Sequence, residues 1–224
     1  MIQALQIQSK VTLADEKIIP EFHLSEANMR ALRAIIMHNP KIRFYDEPPK
    51  EGTQTLVFRI NLDGKDYALR VTQIPLGLKS DLKGLNDLKG IEGIPEYKEV
   101  FHDEKGTIIG LLIDYIDGKN LHDYIASAEP KEAIELARHI KKLIQNVHAR
   151  NHFMPSDWSK EENMIVNEDG IPYLVDLGAH GHELQHDKYT SVNRRGIDFE
   201  SLDRLFQSSS LRLATRLKLK WILL

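Results

Sequence analysis

This chain is expected to form an α+β fold, with strands clustered in the first half and helices dominating the second. Three observations lead there. Strand-like stretches rich in β-branched and aromatic residues fall at about 42–45, 55–62, 67–73, 98–102 and 107–114. A 3.6-residue apolar period replaces them at about 26–38, 78–90 and 131–150. Late in the chain, two short apolar runs flank the turn Glu168-Asp169-Gly170, which reads as an antiparallel hairpin.

Each element has a local cause. Ser25 is a good N-cap for the first helix, Leu32, Ile35 and Ile36 share one face of it, and Pro40 closes it. The strands at 55–62 and 67–73 are joined by Asn61-Leu62-Asp63-Gly64-Lys65, a tight-turn signal. The helix at 78–90 turns Leu82, Leu85 and Leu88 inward, with Gly84 as an unexplained interruption. The long helix at 131–150 carries Ile134, Ala137, Ile140, Leu143, Ile144 and Val147 on its apolar face. No internal repeat or low-complexity linker appears, and the lobe boundary is expected at 114–118.

Composition narrows the function classes. A chain of 224 residues is one large domain or two small lobes, long enough for a proper core. Its 42% hydrophobic and 28% charged content is ordinary for a soluble globular protein. A formal charge of −3 argues against general nucleic-acid binding. With no cysteine, disulfides and thiolate zinc sites are excluded, which suits a reducing, cytoplasmic setting. No apolar run reaches membrane-span length, and the N-terminus lacks an apolar signal core.

The chemistry concentrates in the late hairpin. Asp176 follows Asn163 by 13 positions, and a hairpin of that length brings its two ends together. One amide oxygen and one carboxylate would then face the same point, a hard oxygen pair suited to Mg²⁺ on a nucleotide phosphate.

This stretch resembles the metal-binding half of the protein-kinase-like catalytic core, in which a catalytic-loop Asn and the Asp of an Asp-Phe-Gly motif carry Mg²⁺. Upstream, Asp157-Trp158-Ser159-Lys160-Glu161-Glu162-Asn163 is similar to the family's D-x-K-x-x-N loop. Lys160 stands where the family's phosphate-contacting Lys does. Asp157, at the base position, is one residue further from the Asn than the usual pattern, and Pro155-Ser156 replace the His-Arg before it. Gly52 to Val71 is similar to the glycine-rich hairpin and the V-A-I-K strand, here Tyr67-Ala68-Leu69-Arg70-Val71, with Gly52 alone of the usual glycines. Arg70 takes the place of the family's Lys, and a planar guanidinium is not equivalent to an ammonium. Counting back from Gly93-Ile94-Pro95 places Asp81 at the position of its acidic partner. Asp114-Tyr115-Ile116 resembles the hinge, whose backbone offers a donor and an acceptor to adenine. His148 and Asp198 fit the helix before the catalytic loop and the acid that braces that loop.

The resemblance covers about residues 42–206. It implies a bilobal kinase-like architecture: an N-terminal extension with a helix (1–40), a small β-rich N-lobe with one main helix (41–116) and a truncated, mainly helical C-lobe (117–224). Asp198 follows Asp176 by only 22 positions and no Ala-Pro-Glu occurs, so a full activation segment and peptide-docking platform are not expected. Shortened C-lobes of this kind resemble atypical kinases and the minimal kinase-like effectors of bacterial pathogens, some of which act inside a host cell.

The implied activity is transfer of the ATP γ-phosphate, with Mg²⁺, to a hydroxyl acceptor, first of all protein Ser/Thr. Two alternatives are a small-molecule phosphotransferase and a pseudokinase that binds nucleotide or a regulatory partner. In this assignment Asp157, Lys160, Asn163 and Asp176 are catalytic, and Asn163 and Asp176 hold the metal. Gly52, Arg70, Asp81, Asp114 and Ile116 contribute to nucleotide binding. A competing motif, His182-Glu183-Leu184-Gln185-His186, has zinc-hydrolase spacing with Glu200 as a possible third ligand. Gly181 before it and Asp187-Lys188 after it disfavour the required buried helix. The basic stretch 211–224, with Arg212, Arg216, Lys218 and Lys220 between apolar residues, fits an amphipathic helix packed on its own domain better than one lying on a membrane.

Overall fold

The computed structural model describes residues 12–13, 17–18, 24–51, 55–72, 75–155, 158–177, 196 and 198–206. Among these, strands and helices are mixed, giving an α+β protein. The chain divides into two compact units, one made of residues 1–79 and 97–115 and the other of residues 80–96 and 116–224.

In the first unit, β1 (Thr12–Leu13) and β2 (Lys17–Ile18) form a small antiparallel pair. Helix α1 (Glu26–His38) begins at Ser25, whose Oγ accepts a hydrogen bond from the Asn28 amide at 3.2 Å. Strands β3 (Arg43–Phe44), β4 (Lys50–Glu51), β5 (Thr55–Leu62) and β6 (Lys65–Thr72) follow. With β7 (Tyr97–His102) and β8 (Ile108–Asp114) they make a six-stranded antiparallel sheet in which β5, β6 and β8 are successive neighbours. The β5–β6 turn has positive φ at Asp63 (52°) and Gly64 (85°), the two-residue geometry that matches strand twist.

One face of the sheet packs on α1. Leu32, Ile35 and Ile36 join Phe58, Ile60, Tyr67, Leu69, Val71, Phe101 and Leu112 in a single buried cluster. Gly110 on β8 makes this approach possible: a Cβ there would lie 2.6 Å from Ile35 Cδ1. Because strand side chains alternate, Leu69 and Val71 face α1 while Ala68 and Arg70 face the other side. The ladder places Val57 and Leu111 beside Arg70 on that second face.

Helix α2 (Pro75–Asp87) starts three residues earlier than its apolar period suggests. Proline is tolerated in a helix's first turn, where its missing N–H has no intrahelical partner to lose. In the second unit, β9 (Gly118–Asn120) leads into α3 (Leu121–Ser127), capped by Asn120, and then α4 (Pro130–Ala149). The α4 start is a capping box between Glu129 and Glu132. A short 3₁₀ turn (Glu161–Asn163) precedes β10 (Met164–Asn167) and β11 (Pro172–Leu174). Strands β9, β10 and β11 form an antiparallel sheet with β10 central. Residues 198–206 are helical. No helix among the described residues is long and apolar enough to cross a membrane.

Candidate functional site

The late hairpin forms with the expected strands. Met164 pairs with Leu174 and Val166 with Pro172, around a turn in which Gly170 takes φ 76°. The turn is held from two helices. His139 Nδ1 of α4 lies 3.1 Å from the Gly170 carbonyl, and the Tyr124 hydroxyl of α3 lies 3.1 Å from where a Cβ at Gly170 would stand. On the far side of β10, Gly118 lies so close to the Val166 carbonyl that a Cβ would come within 2.2 Å of it.

At the open end, the Val175 amide donates to the Asn163 carbonyl at 3.0 Å, extending the ladder by one pair. Asp176 is therefore the next residue after the partner of Asn163. Asn163 is only 4% exposed, Asp176 is half-buried, and Leu177 beyond it is buried. An amide side chain so far from solvent is retained only where its polar atoms are used.

The segment before Asn163 is fastened at successive points. Asp198 Oδ2 accepts from the Met154 amide at 3.3 Å and lies 2.7 Å from His148 Nε2. The His148 ring meets Phe199 edge-on at 5.7 Å, and both members of the His–Asp pair are buried. Trp158 is buried at 2% exposure. His122 Nε2 reaches the Ser159 carbonyl at 3.2 Å, and the Asn163 amide donates to the Lys160 carbonyl. Lys160 itself is exposed at the start of the 3₁₀ turn. His152 lies 3.9 Å from Asp87 of α2, and burial holds its imidazole below the usual range against the pull of that carboxylate.

Of the remaining predicted residues, Arg70 and Asp114 belong to the first unit and Asp81 and Ile116 to the second. Arg70 lies mid-strand on β6 at 8% exposure, and Asp81 lies on α2 at 2%. Asp114 ends β8 and accepts a salt bridge from Lys65 at 2.8 Å. Ile116 sits in the irregular stretch after β8. Asp157 and Gly52 lie outside the described residues, as do His182, Glu183, His186 and the basic stretch 211–224. Among the described residues no three His, Asp or Glu side chains are grouped so as to hold a metal ion.

Sequence reasoning named His148 and Asp198 separately but not as a bonded pair, because they stand 50 positions apart. It also found no role for Gly84, which packs against Leu177. Neither a protein-family model nor a curated protein matches this chain.

Proposed function

We propose that this protein is an atypical, bilobal kinase-like phosphotransferase that moves the γ-phosphate of ATP to a hydroxyl acceptor. The reading is carried by the open end of the β10–β11 hairpin, with Asn163 buried opposite Val175 and Asp176 next in line. The donor set fits Mg²⁺, whose hard ion takes carboxylate and amide oxygens and shares its remaining positions with water and phosphate. Bound there, Mg²⁺ supplies neutralisation of charge on the β- and γ-phosphates.

The chain's own residues divide the remaining work. Arg70 takes the α- and β-phosphates, the role that the kinase resemblance gives this position. Support comes from the burial of Arg70 on β6, since a charge that far from water is retained where it is used. Val57 and Ala68, on the same sheet face as Arg70, offer an apolar seat for a flat base, and the backbone from Asp114 to Ile116 supplies its hydrogen bonds. Lys160, exposed beside the hairpin end, takes the γ-phosphate. Asp157 accepts the proton of the attacking hydroxyl. Phosphoryl transfer passes through a loose transition state, so positioning and electrostatics provide most of the rate. The fastening of 154–163 at Met154, Trp158, Ser159 and Asn163 supports such positioning.

The acceptor we favour is a protein Ser/Thr hydroxyl; the short span from Asp176 to Asp198 favours a small-molecule hydroxyl as the alternative. A second reading, nucleotide binding without transfer, is favoured by Arg70 in place of Lys.

The test is thermal denaturation with ATP and Mg²⁺, followed by turnover with labelled ATP against a protein panel and a small-alcohol panel. A ligand at about 100 times its Kd stabilises by about 2.7 kcal/mol, raising Tm by about 5–10 °C for a chain this size. Asp176→Ala is expected to remove the Mg²⁺-dependent part of that rise and all turnover. An unaltered rise in Asp176→Ala would refute the metal assignment.

A further inference from the structure

Gly84 stands in the interior of α2, where glycine is less stable than alanine because its backbone has more freedom to lose. Its neighbour accounts for it. A Cβ at Gly84 would lie 2.9 Å from Leu177 Cβ and 3.5 Å from the Leu177 carbonyl oxygen. These are backbone-proximal atoms, which cannot swing aside as the end of a long side chain would. Gly84 and Leu177 are both buried, so the contact is inside the core of the second unit.

The same stretch is tied to the hairpin at a second point. The Leu174 amide donates to the Gly93 carbonyl at 2.8 Å, and Gly93, at φ 90°, lies where a Cβ would meet the Pro172 carbonyl at 2.5 Å. Residues 80–96 therefore grip the β11 strand on the near side of Asp176 and Leu177 on its far side. Asp176 lies between the two grips, and its backbone is confined by packing from α2 and the turn that follows it.

We propose that Gly84 is a positioning residue: the notch it leaves in α2 seats Leu177 and thereby sets the direction of the Asp176 carboxylate. The α2 residues from 80 onward belong to the same compact unit as Asn163 and Asp176. This role of Gly84 rests on the Mg²⁺ reading of Asp176, and it predicts an effect on metal use that is separate from nucleotide affinity.

The experiment compares wild type, Gly84→Ala and Leu177→Ala in two measurements. The first is thermal melting without ligand. Helix propensity alone would raise the Tm of Gly84→Ala, whereas the Leu177 contact is expected to lower it by about 2–4 °C. The second is binding of a fluorescent ATP analogue, titrated with Mg²⁺ and repeated in EDTA. Both variants are expected to need at least about tenfold more Mg²⁺ for half-saturation, with binding in EDTA unchanged; Leu177→Ala reaches Asp176 from the other side should Gly84→Ala not fold. A raised Tm in Gly84→Ala, an unchanged Mg²⁺ midpoint in either variant, or equal weakening with and without metal overturns the proposal. A wild-type protein that binds no MgATP overturns the functional reading instead, and with it the assigned role of Gly84, while the melting comparison still decides the packing.

Discussion

Asp66 gathers donors from three side chains on the first unit's sheet. Arg59 Nε and Nη2 bind its Oδ2 at 3.0 and 2.6 Å, while the Tyr45 hydroxyl and Asn61 Nδ2 bind its Oδ1 at 2.6 and 2.9 Å. The Arg59 guanidinium in turn lies 4.5 Å from the ring centroids of both Tyr45 and Tyr115. Tyr45, Asn61 and Arg59 together pull the Asp66 carboxyl from its ordinary 3.8 to about 2. A depressed folded-state value means the stabilisation is complete above about pH 4 and is lost as pH falls towards 2. With Asp66 24% and Arg59 29% exposed, solvent screening leaves about 1–2 kcal/mol. Urea unfolding should therefore show Asp66→Asn less stable than wild type by that amount from pH 5 to 7, with the gap closing between pH 4 and 2. A gap independent of pH would show that the carboxylate's charge is not what the network uses.

The meeting of α4 with the helical segment 198–206 matters most among the element contacts, because it fixes the chain entering the candidate loop. Asp198 serves both the α4 end, through His148, and the Met154 amide. Removing the carboxylate leaves a buried imidazole and a buried amide without it, a change of about 3 kcal/mol by analogy with broken buried pairs. Asp198→Ala is expected to lose about that much in urea unfolding and to lower turnover beyond the fraction unfolded. Turnover falling only in step with the folded population would reduce Asp198 to a stabilising role. Most elements here were legible locally: Ser25 caps α1, Asp63-Gly64 makes the β5–β6 turn, and α4 follows its apolar stripe. Strand β9 was not, because Gly118-Lys119-Asn120 has no apolar alternation and exists by pairing with Ile165–Asn167. Gly84 and Gly110 were likewise opaque, since a notch has meaning only once Leu177 and Ile35 are known to fill it.

For the molecule as a whole, two proposed metal chemistries stand against each other, Mg²⁺ at the hairpin end and zinc at His182-Glu183-Leu184-Gln185-His186. They differ in a property that can be measured on the intact protein. Zinc held by imidazoles binds tightly enough to survive purification, whereas Mg²⁺ on carboxylate, amide and phosphate exchanges freely. The protein as purified is expected to contain no stoichiometric zinc by elemental analysis, and EDTA treatment followed by Mg²⁺ is expected to restore the full ATP-dependent rise in Tm. One zinc per chain, with loss of activity that only zinc restores, would move the chemistry to the histidine segment.

Local sequence was enough to establish the mixed strand and helix content, the main turns, and the spacing that pairs Asn163 with the neighbourhood of Asp176. Those properties depend on residues within about one hairpin or a few helical turns of each other, where periodicity and turn chemistry act directly. Folding in three dimensions settled the remainder: that α1 shares one core with the sheet, that His148 meets Asp198, and that Gly84 receives Leu177. Such partners are chosen by complementary shape and by the need to satisfy buried polar groups, and neither leaves a mark at fixed spacing along the chain.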